Sequence, residues 1–236
     1  MKRLLNHPFR YGLIAAAVVA LAPAAVLLIF RFVNPPASAF MTITGNRLQD
    51  QRPQAEIVHR WVDLDRIAAC MPLAAVASED QTFPSNHGFV WSSIERAIRH
   101  NANGGAVQGA STMTQQTVKN LFLWPAKSYI RKGIEAYITL WMDLLWPKRR
   151  IMEVYLNIAQ FSDTAFGVQA AARQLFQTTA AGLSRRQCAA LAAVLPAPTQ
   201  HNAARPDSYV AGRQAWILQQ MRHLGPHYLD RALDEG

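Results

Sequence analysis

The heptapeptide Ala77-Ser78-Glu79-Asp80-Gln81-Thr82-Phe83 closes a short apolar run in which Leu73, Val76 and Ala77 recur at helical spacing. Pro72 suits the first turn of a helix, where its missing N–H costs nothing. A short apolar helix therefore delivers two adjacent acids at its end. Carboxylates are rarely buried without partners, and one at the rim of an apolar wall is suited to proton transfer. Glu79 is the candidate base, acting on a polar, polyhydroxylated substrate. The plain alternative is a pair of solvated acids at a helix end.

Bulk properties narrow the class. Half of the 236 residues are hydrophobic and 17% are charged, against about 25% charged in a typical soluble domain. That is enough apolar material for one domain plus a short appendage. The net charge of +9 favours a partner rich in negative charge: phospholipid, diphosphate or nucleic acid. Nucleic acid is the least favoured, because the basic residues do not interleave with aromatics and no DNA-binding motif spacing occurs. Cys70 and Cys188 are far apart and form no CxxC, which argues against a cysteine zinc site or a disulfide framework. Both read as ordinary core thiols, although an oxidising compartment would permit one long-range disulfide.

Upstream, Lys2, Arg3 and Arg10 precede an uncharged run from Gly12 to Phe30. This is long enough to span a membrane, and the basic flank places the N-terminus in the cytoplasm with the remainder exported. A cleaved signal peptide is the alternative. The chain divides into a stub and anchor at 1–33, a linker at 34–59, a main domain at 60–225 and a polar tail at 226–236. Trp61 to Asp65 reads as a short extended piece.

Downstream, Trp91 to His100 reads as a helix and Asn101 to Gly105 as a mobile, breaker-rich loop. Gly109-Ala110-Ser111-Thr112-Met113-Thr114-Gln115-Gln116 contains a capping box at Thr112 and Gln115, opening a helix whose free N–H groups offer an anion seat. Ser128 is placed to cap a helix from Tyr129 to about Trp146. Arg131, Lys132 and Glu135 share one sector of its first turns. Cations there oppose the helix dipole, so an anionic ligand such as a diphosphate explains them better than a surface ion pair. Further helices follow Pro147, Ala165, Ser184 and Pro206, giving an α-dominated globule with little strand.

Five segments occur in order: Ser78–Phe83, Gly109–Gln116, Arg131–Glu135, Lys148–Asn157 and Ala189–Pro196. Together they resemble the motifs of the peptidoglycan glycosyltransferases, glycosyltransferase family 51. With its anchor and no transpeptidase domain, the chain is similar to the single-function members. The resemblance implies a mainly α, lysozyme-like, two-lobed helical domain preceded by one transmembrane helix, set in the inner membrane with the C-terminal domain periplasmic. It implies polymerisation of lipid II into a glycan strand, with Glu79 as general base and Glu135 as the second catalytic glutamate. Lys119, Arg131 and Lys132 match basic residues around the diphosphate. Asp80, Phe83, Gly109, Ser111, Thr112, Gln115, Gln116 and Asn157 match motif positions assigned to the substrate cleft. No cofactor is obligatory, although a divalent cation (Mg or Mn) is compatible with a diphosphate leaving group. Membrane lipid and cell-wall synthesis or division proteins are the implied further partners.

The chain departs from the family pattern at Asn86, where His is usual, at Val90, where Asp is common, at Gln108, where Arg is usual, and at Gln160, where an acid often stands. A glycan-cutting enzyme on the same fold and a catalytically weak, membrane-tethered scaffold are the competing readings.

Overall fold

The computed structural model describes residues 6–92, 95, 111–126 and 128–234. Helix α1 (Asn6–Phe32) opens the chain. Its stretch Arg10–Phe32 comprises 23 residues, about 34 Å of helix against a hydrocarbon core of about 30 Å. Leu13, Ile14, Val18, Val19 and Ile29 are exposed, so most of this apolar surface is not covered by the protein itself. The C-terminal turns do dock. Leu27 is buried, and its carbonyl accepts from Trp146 Nε1 at 2.7 Å. Buried Arg150 donates to the carbonyls of Phe30 and Val33 and to Asn34 Oδ1, all at 2.9–3.0 Å. A guanidinium at that end satisfies orphan carbonyls and opposes the negative pole of the helix.

Helix α2 (Ala39–Gln51) lies within the segment read as a linker, which corrects that boundary. Ser38 caps it, accepting from Met41 N at 3.1 Å. Met41 and Leu48, two turns apart, form the buried stripe. Two apolar anchors are too few to give a periodic signal in sequence. Strand β1 (Val58–His59) pairs in parallel with β2 (Ala165–Phe166), and a 3₁₀ turn at Leu64–Arg66 replaces the extended piece expected after Trp61.

The core is built on α3 (Cys70–Glu79), α8 (Arg185–Val194) and α9 (Ser208–Leu224), which pack against one another. Met71 to Ala77 of α3 and Cys188 to Val194 of α8 are entirely buried. Their alanines permit close approach. Capping boxes form at Thr112, opening α4 (Met113–Phe122), and at Ser184, opening α8. Asp207 caps α9, whose Val210, Ile217 and Met221 face inward as the spacing predicts. Helix α4 packs on both α5 (Tyr129–Leu145) and α6 (Lys148–Ile158). Ser128 makes no side-chain cap bond to α5, contrary to expectation.

Helix α7 (Val168–Phe176) follows β2. Its N-cap, Gly167, has φ of +79°, and a Cβ there would sit 2.6 Å from the carbonyl oxygen of Asn157, so only glycine fits. The tail is not simply polar: buried Leu229 leads into α10 (Asp230–Asp234), which packs on α6.

The two cysteines are disulfide-bonded, which corrects the reading of both as free core thiols. Cys70 begins α3 and Cys188 lies in α8. The packing of those helices brings their Cα atoms to 6.0 Å across 118 residues of chain. The proposed helix beyond Ser92, the loop at 101–105, Gln108 and Gly109 lie outside the described residues.

Candidate functional site

Helix α3 ends at Glu79, and the chain turns away at Asp80. The turn separates the two acids completely. Glu79 stays partly accessible, with 13% of its side chain exposed. Its Oε1 accepts from Ser78 Oγ at 3.0 Å and lies 3.6 Å from Arg213 Nη2. Its Oε2 accepts from Gln116 Nε2 at 3.0 Å. Tyr155 OH donates to Gln116 Oε1 at 3.3 Å, which fixes which way the amide points. Burial, reinforced by the fields of Glu79 and Asp80, raises the Tyr155 pKa well above the ordinary phenol value. Tyr155 therefore remains a neutral donor. Arg213 also donates to Ser78 Oγ at 3.1 Å and is held over Trp216. Both carboxylate oxygens of Glu79 are thus oriented, by the adjacent Ser78 and by Gln116 and Arg213 from two other helices, yet the group is not sealed.

Asp80 does something else. It is buried, and its carboxylate accepts from Thr82 N and Oγ1, from Asn86 Nδ2 at 2.9 and 3.1 Å, and from Met113 N at 3.1 Å. The anion seat expected at the start of α4 is therefore filled by the protein's own Asp80. Asn86, a departure from the family pattern, is the amide that satisfies it.

Several other sequence candidates are engaged by the protein's own packing and hydrogen bonds. Phe83 is fully buried in the core beneath Lys148. Thr112 and Gln115 are spent on the capping box, and Thr112 Oγ1 also donates to the carbonyl of Gly88 at 2.7 Å. Asn157 is fully buried, clamping Val62 through both its amide groups and donating to the Glu153 carbonyl. A polar residue inside a motif reads the same in sequence whether it faces a cleft or closes a turn.

The basic cluster forms as expected. Glu135 is only 2% exposed. It pairs with Arg131 Nη1 at 2.6 Å and with Lys132 Nζ. Lys132 also donates to Ser111 Oγ at 3.1 Å, which ties the cluster to the start of α4. Lys119 lies one turn beyond Gln116 on α4. Burial lowers its pKa, opposed by Glu135, assisted by Arg131 and Lys132, and opposed again by Glu79. Those four influences place Lys119 in the field of both halves of the site. The arrangement can accept a proton at Glu79 while cations nearby stabilise negative charge on a leaving group. Among the described residues, no three His, Cys, Asp or Glu side chains converge as a metal site.

Gln116, Lys119 and Tyr155 line a cavity of about 170 Å³. A larger cavity of about 530 Å³, around Arg60, Arg66 and Arg173, contains neither Glu79 nor Glu135. Sequence reasoning missed Arg213, Ser78 and the polar role of Tyr155. Arg213 lay unremarked on the last helix, where the periodic pattern marks only the inward apolar stripe.

The Transglycosylase family model matches residues 45–222. The chain belongs to the transglycosylase family. Its mainly helical, lysozyme-like architecture and the ordered motifs agree with that membership. A biosynthetic peptidoglycan transglycosylase of Xylella fastidiosa (strain 9a5c) is 45% identical over 226 residues, 94% of this chain and 92% of its own. Its namesake in Xanthomonas axonopodis pv. citri (strain 306) is 49% identical over 218 residues, covering 91% and 89%. That of Xanthomonas campestris pv. campestris (strain B100) is 46% identical over 231 residues, covering 96% and 93%. Within this transglycosylase, the matched span contains Glu79, Glu135, all the cluster cations and Arg213, whereas α1 and the start of α2 precede it.

Proposed function

We propose that the protein is a peptidoglycan glycosyltransferase that polymerises lipid II into β-1,4 glycan strands. The observation that carries this reading is the oriented, partly open carboxylate of Glu79, with Lys119 interacting electrostatically both with it and with the Arg131–Lys132–Glu135 cluster. Glu79 takes the proton from the 4-hydroxyl of the acceptor GlcNAc as that oxygen attacks C1 of the donor MurNAc. The bond from C1 to the α-linked diphosphate oxygen breaks, and undecaprenyl diphosphate leaves with its electron pair. Attack from the opposite face gives inversion. A diphosphate is already a good leaving group, so cations serve better than a general acid. A glycosidase, by contrast, needs a matched pair of carboxyl groups. Glu135 holds Arg131 and Lys132 in place toward the diphosphate. A divalent cation (Mg or Mn) carried by the diphosphate is compatible with this reaction and is not obligatory for it.

Helix α1 serves as a single-pass anchor in the inner membrane. The basic N-terminal flank keeps that end cytoplasmic and puts the catalytic domain in the periplasm. A long-range disulfide suits an oxidising compartment. Ile130, Ile134, Tyr137 and Leu144 of α5 expose apolar surface at helical spacing next to α1, which suits a lipid-linked substrate drawn from the bilayer. Membrane lipid is thus a partner, and cell-wall synthesis or division proteins are further ones.

The test is polymerisation of labelled lipid II by detergent-solubilised wild type beside Glu79→Gln and Glu135→Gln. Polymer from wild type alone supports the reading. Soluble fragments released from purified sacculi, with no polymer from lipid II, would replace it with a glycan-cutting activity. Function that persists in Glu79→Gln would point to a scaffold.

A further inference from the structure

The cavity of about 530 Å³ lies away from the candidate base. Arg66 and Ala181 belong to its lining, and beside them Ala68 N donates to the Ala180 carbonyl at 3.0 Å. That bond stands just before Cys70, the first residue of α3, whereas Glu79 is the last residue of the same ten-residue helix. The two ends are about 14 Å apart along the axis. The cavity walls are held by the protein's own bonds. Asn157 clamps Val62 at 2.8 and 2.9 Å, Gln169 Oε1 accepts from Ala180 N at 2.9 Å, and Arg149 holds Asp65 at 2.7 Å. A cavity fixed in this way has little left to order when a ligand enters.

Its charges are not balanced in the same way. Arg60 follows β1, Arg66 ends the 3₁₀ turn and Arg173 lies on α7, so three elements each bring one guanidinium to the lining. None of the three has an ion pair or side-chain hydrogen bond among the described residues. Two carboxylates, Asp63 and Asp65, also line the cavity, but Asp65 is already paired with Arg149. Three unpaired guanidiniums around one uncommitted acid favour an anionic occupant, and their planar forks match carboxylate oxygens. Gln169 is only 8% exposed, and its Nε2 has no partner among the described residues, which leaves a neutral donor for a carbonyl. Asp63 makes no side-chain cap bond, which leaves an acceptor for an N–H. The one aromatic in the lining, Trp61, has a ring face covered by Arg150, so the cavity is poorly suited to stacking a sugar. The volume falls in the range of about 300–1,000 Å³ typical of ligand sites, far more than a single oxyanion fills. Donors for carboxylates and a carbonyl, with an acceptor for an N–H, complement an acidic peptide. A phosphate would use the guanidiniums but meet Asp63 as a repulsive neighbour.

We infer that this cavity is a docking site for an acidic peptide segment of a partner protein, separate from the catalytic centre. Arg60, Arg66 and Arg173 take its carboxylates, and Gln169 and Asp63 take its backbone. The inference goes beyond the polymerase reading and does not depend on it.

The test uses full-length protein in nonionic detergent, titrated calorimetrically with three probes. These are a capped pentapeptide of alternating glutamate and glycine, the same peptide with glutamine in place of glutamate, and inorganic phosphate. Wild type, Arg66→Glu, Arg173→Glu and Glu79→Gln are compared, with thermal unfolding to confirm folding. Affinity for the glutamate peptide should fall at least about tenfold in each arginine variant, the size of one lost charge-assisted hydrogen bond, and stay at the wild-type value in Glu79→Gln. The glutamine peptide should bind wild type at least about tenfold more weakly than the glutamate peptide. No binding of the glutamate peptide by wild type, or equal binding by wild type and both arginine variants, overturns the site. Tighter binding of phosphate than of the glutamate peptide overturns the peptide assignment, and loss of peptide binding in Glu79→Gln overturns its separation from the catalytic centre. Arginine-dependent peptide binding by a protein that makes no polymer from lipid II would keep this site and reject the polymerase instead.

Discussion

Gln116 Nε2 donates to Glu79 Oε2 across 3.0 Å, while Gln116 Oε1 accepts from buried Tyr155. The chain Tyr155–Gln116–Glu79 leaves the amide one orientation. It therefore presents a donor, never an acceptor, to the carboxylate. A base held this way keeps its geometry without a second acid nearby.

The expected consequence is graded. Gln116→Ala lowers turnover about 10- to 100-fold, in line with a lost hydrogen bond to an ion, and Tyr155→Phe lowers it about threefold, in line with a neutral one. Glu79→Gln removes activity altogether. Initial rates on labelled lipid II would measure all three. A Tyr155→Phe protein as impaired as Gln116→Ala would mean that the phenol acts other than through the amide.

Arg213 lies 3.6 Å from Glu79 Oε1 and donates to Ser78 Oγ. Removing it should lower kcat while leaving KM near wild type, because the side chain touches the base rather than the cationic cluster. Arg213→Lys should recover part of the loss by restoring a cation, which a purely packing role would not predict. Equal kcat for the Ala and Lys variants would count against a positioning role.

Lys119 gives a pH prediction. Its burial lowers the pKa below the ordinary lysine value. The charged form is then lost at lower pH than for an exposed lysine. Activity that depends on this cation should decline as pH rises through that lowered value, below about 10.4. Lys119→Arg keeps its charge across the range and should lose that alkaline limb. The stability effect has the opposite sign. Between the lowered folded value and the unfolded one, the unfolded state binds more protons, so stability rises with pH there. A pH–rate profile of both proteins, with parallel thermal melts, checks both signs.

How much of this was legible depends on what each feature leaves in one dimension. Glu79 was visible because an apolar helix must end where its acids begin. Arg131, Lys132 and Glu135 were visible because three- and four-residue spacings put them on one face. The internal partners of Asp80 and Asn157 were not legible, because a carboxylate or amide in a motif looks identical whether it faces substrate or closes a turn. Arg213 could not be seen, since its partner lies 135 residues earlier in the chain. The disulfide was hidden for the same reason, because Cys70 and Cys188 stand among alanines that suit a buried thiol equally well. Breaking it by Cys70→Ser should cost about 2–4 kcal/mol of stability, readable by denaturant titration with and without reductant. Insensitivity of the wild-type midpoint to reductant would contradict a structural bridge.

Glu135 supplies the last prediction. Its carboxylate is almost wholly buried between Arg131 and Lys132. Taking away the shared anion leaves two cations at the N-terminus of α5, where the helix dipole already opposes them. Removing one partner of a buried pair typically costs about 3–5 kcal/mol, and the partial exposure of Lys132 puts this case at the low end. Glu135→Gln should therefore lower Tm and turnover together. It should not lower affinity for inorganic diphosphate, because the cations lose their internal competitor and an incoming anion relieves their repulsion. Added diphosphate should accordingly raise the variant's Tm by more than it raises the wild type's. Calorimetric titration with diphosphate, paired with thermal melts, separates this from a direct role: weaker diphosphate binding in the variant would mean that Glu135 shapes the anion site rather than neutralising it.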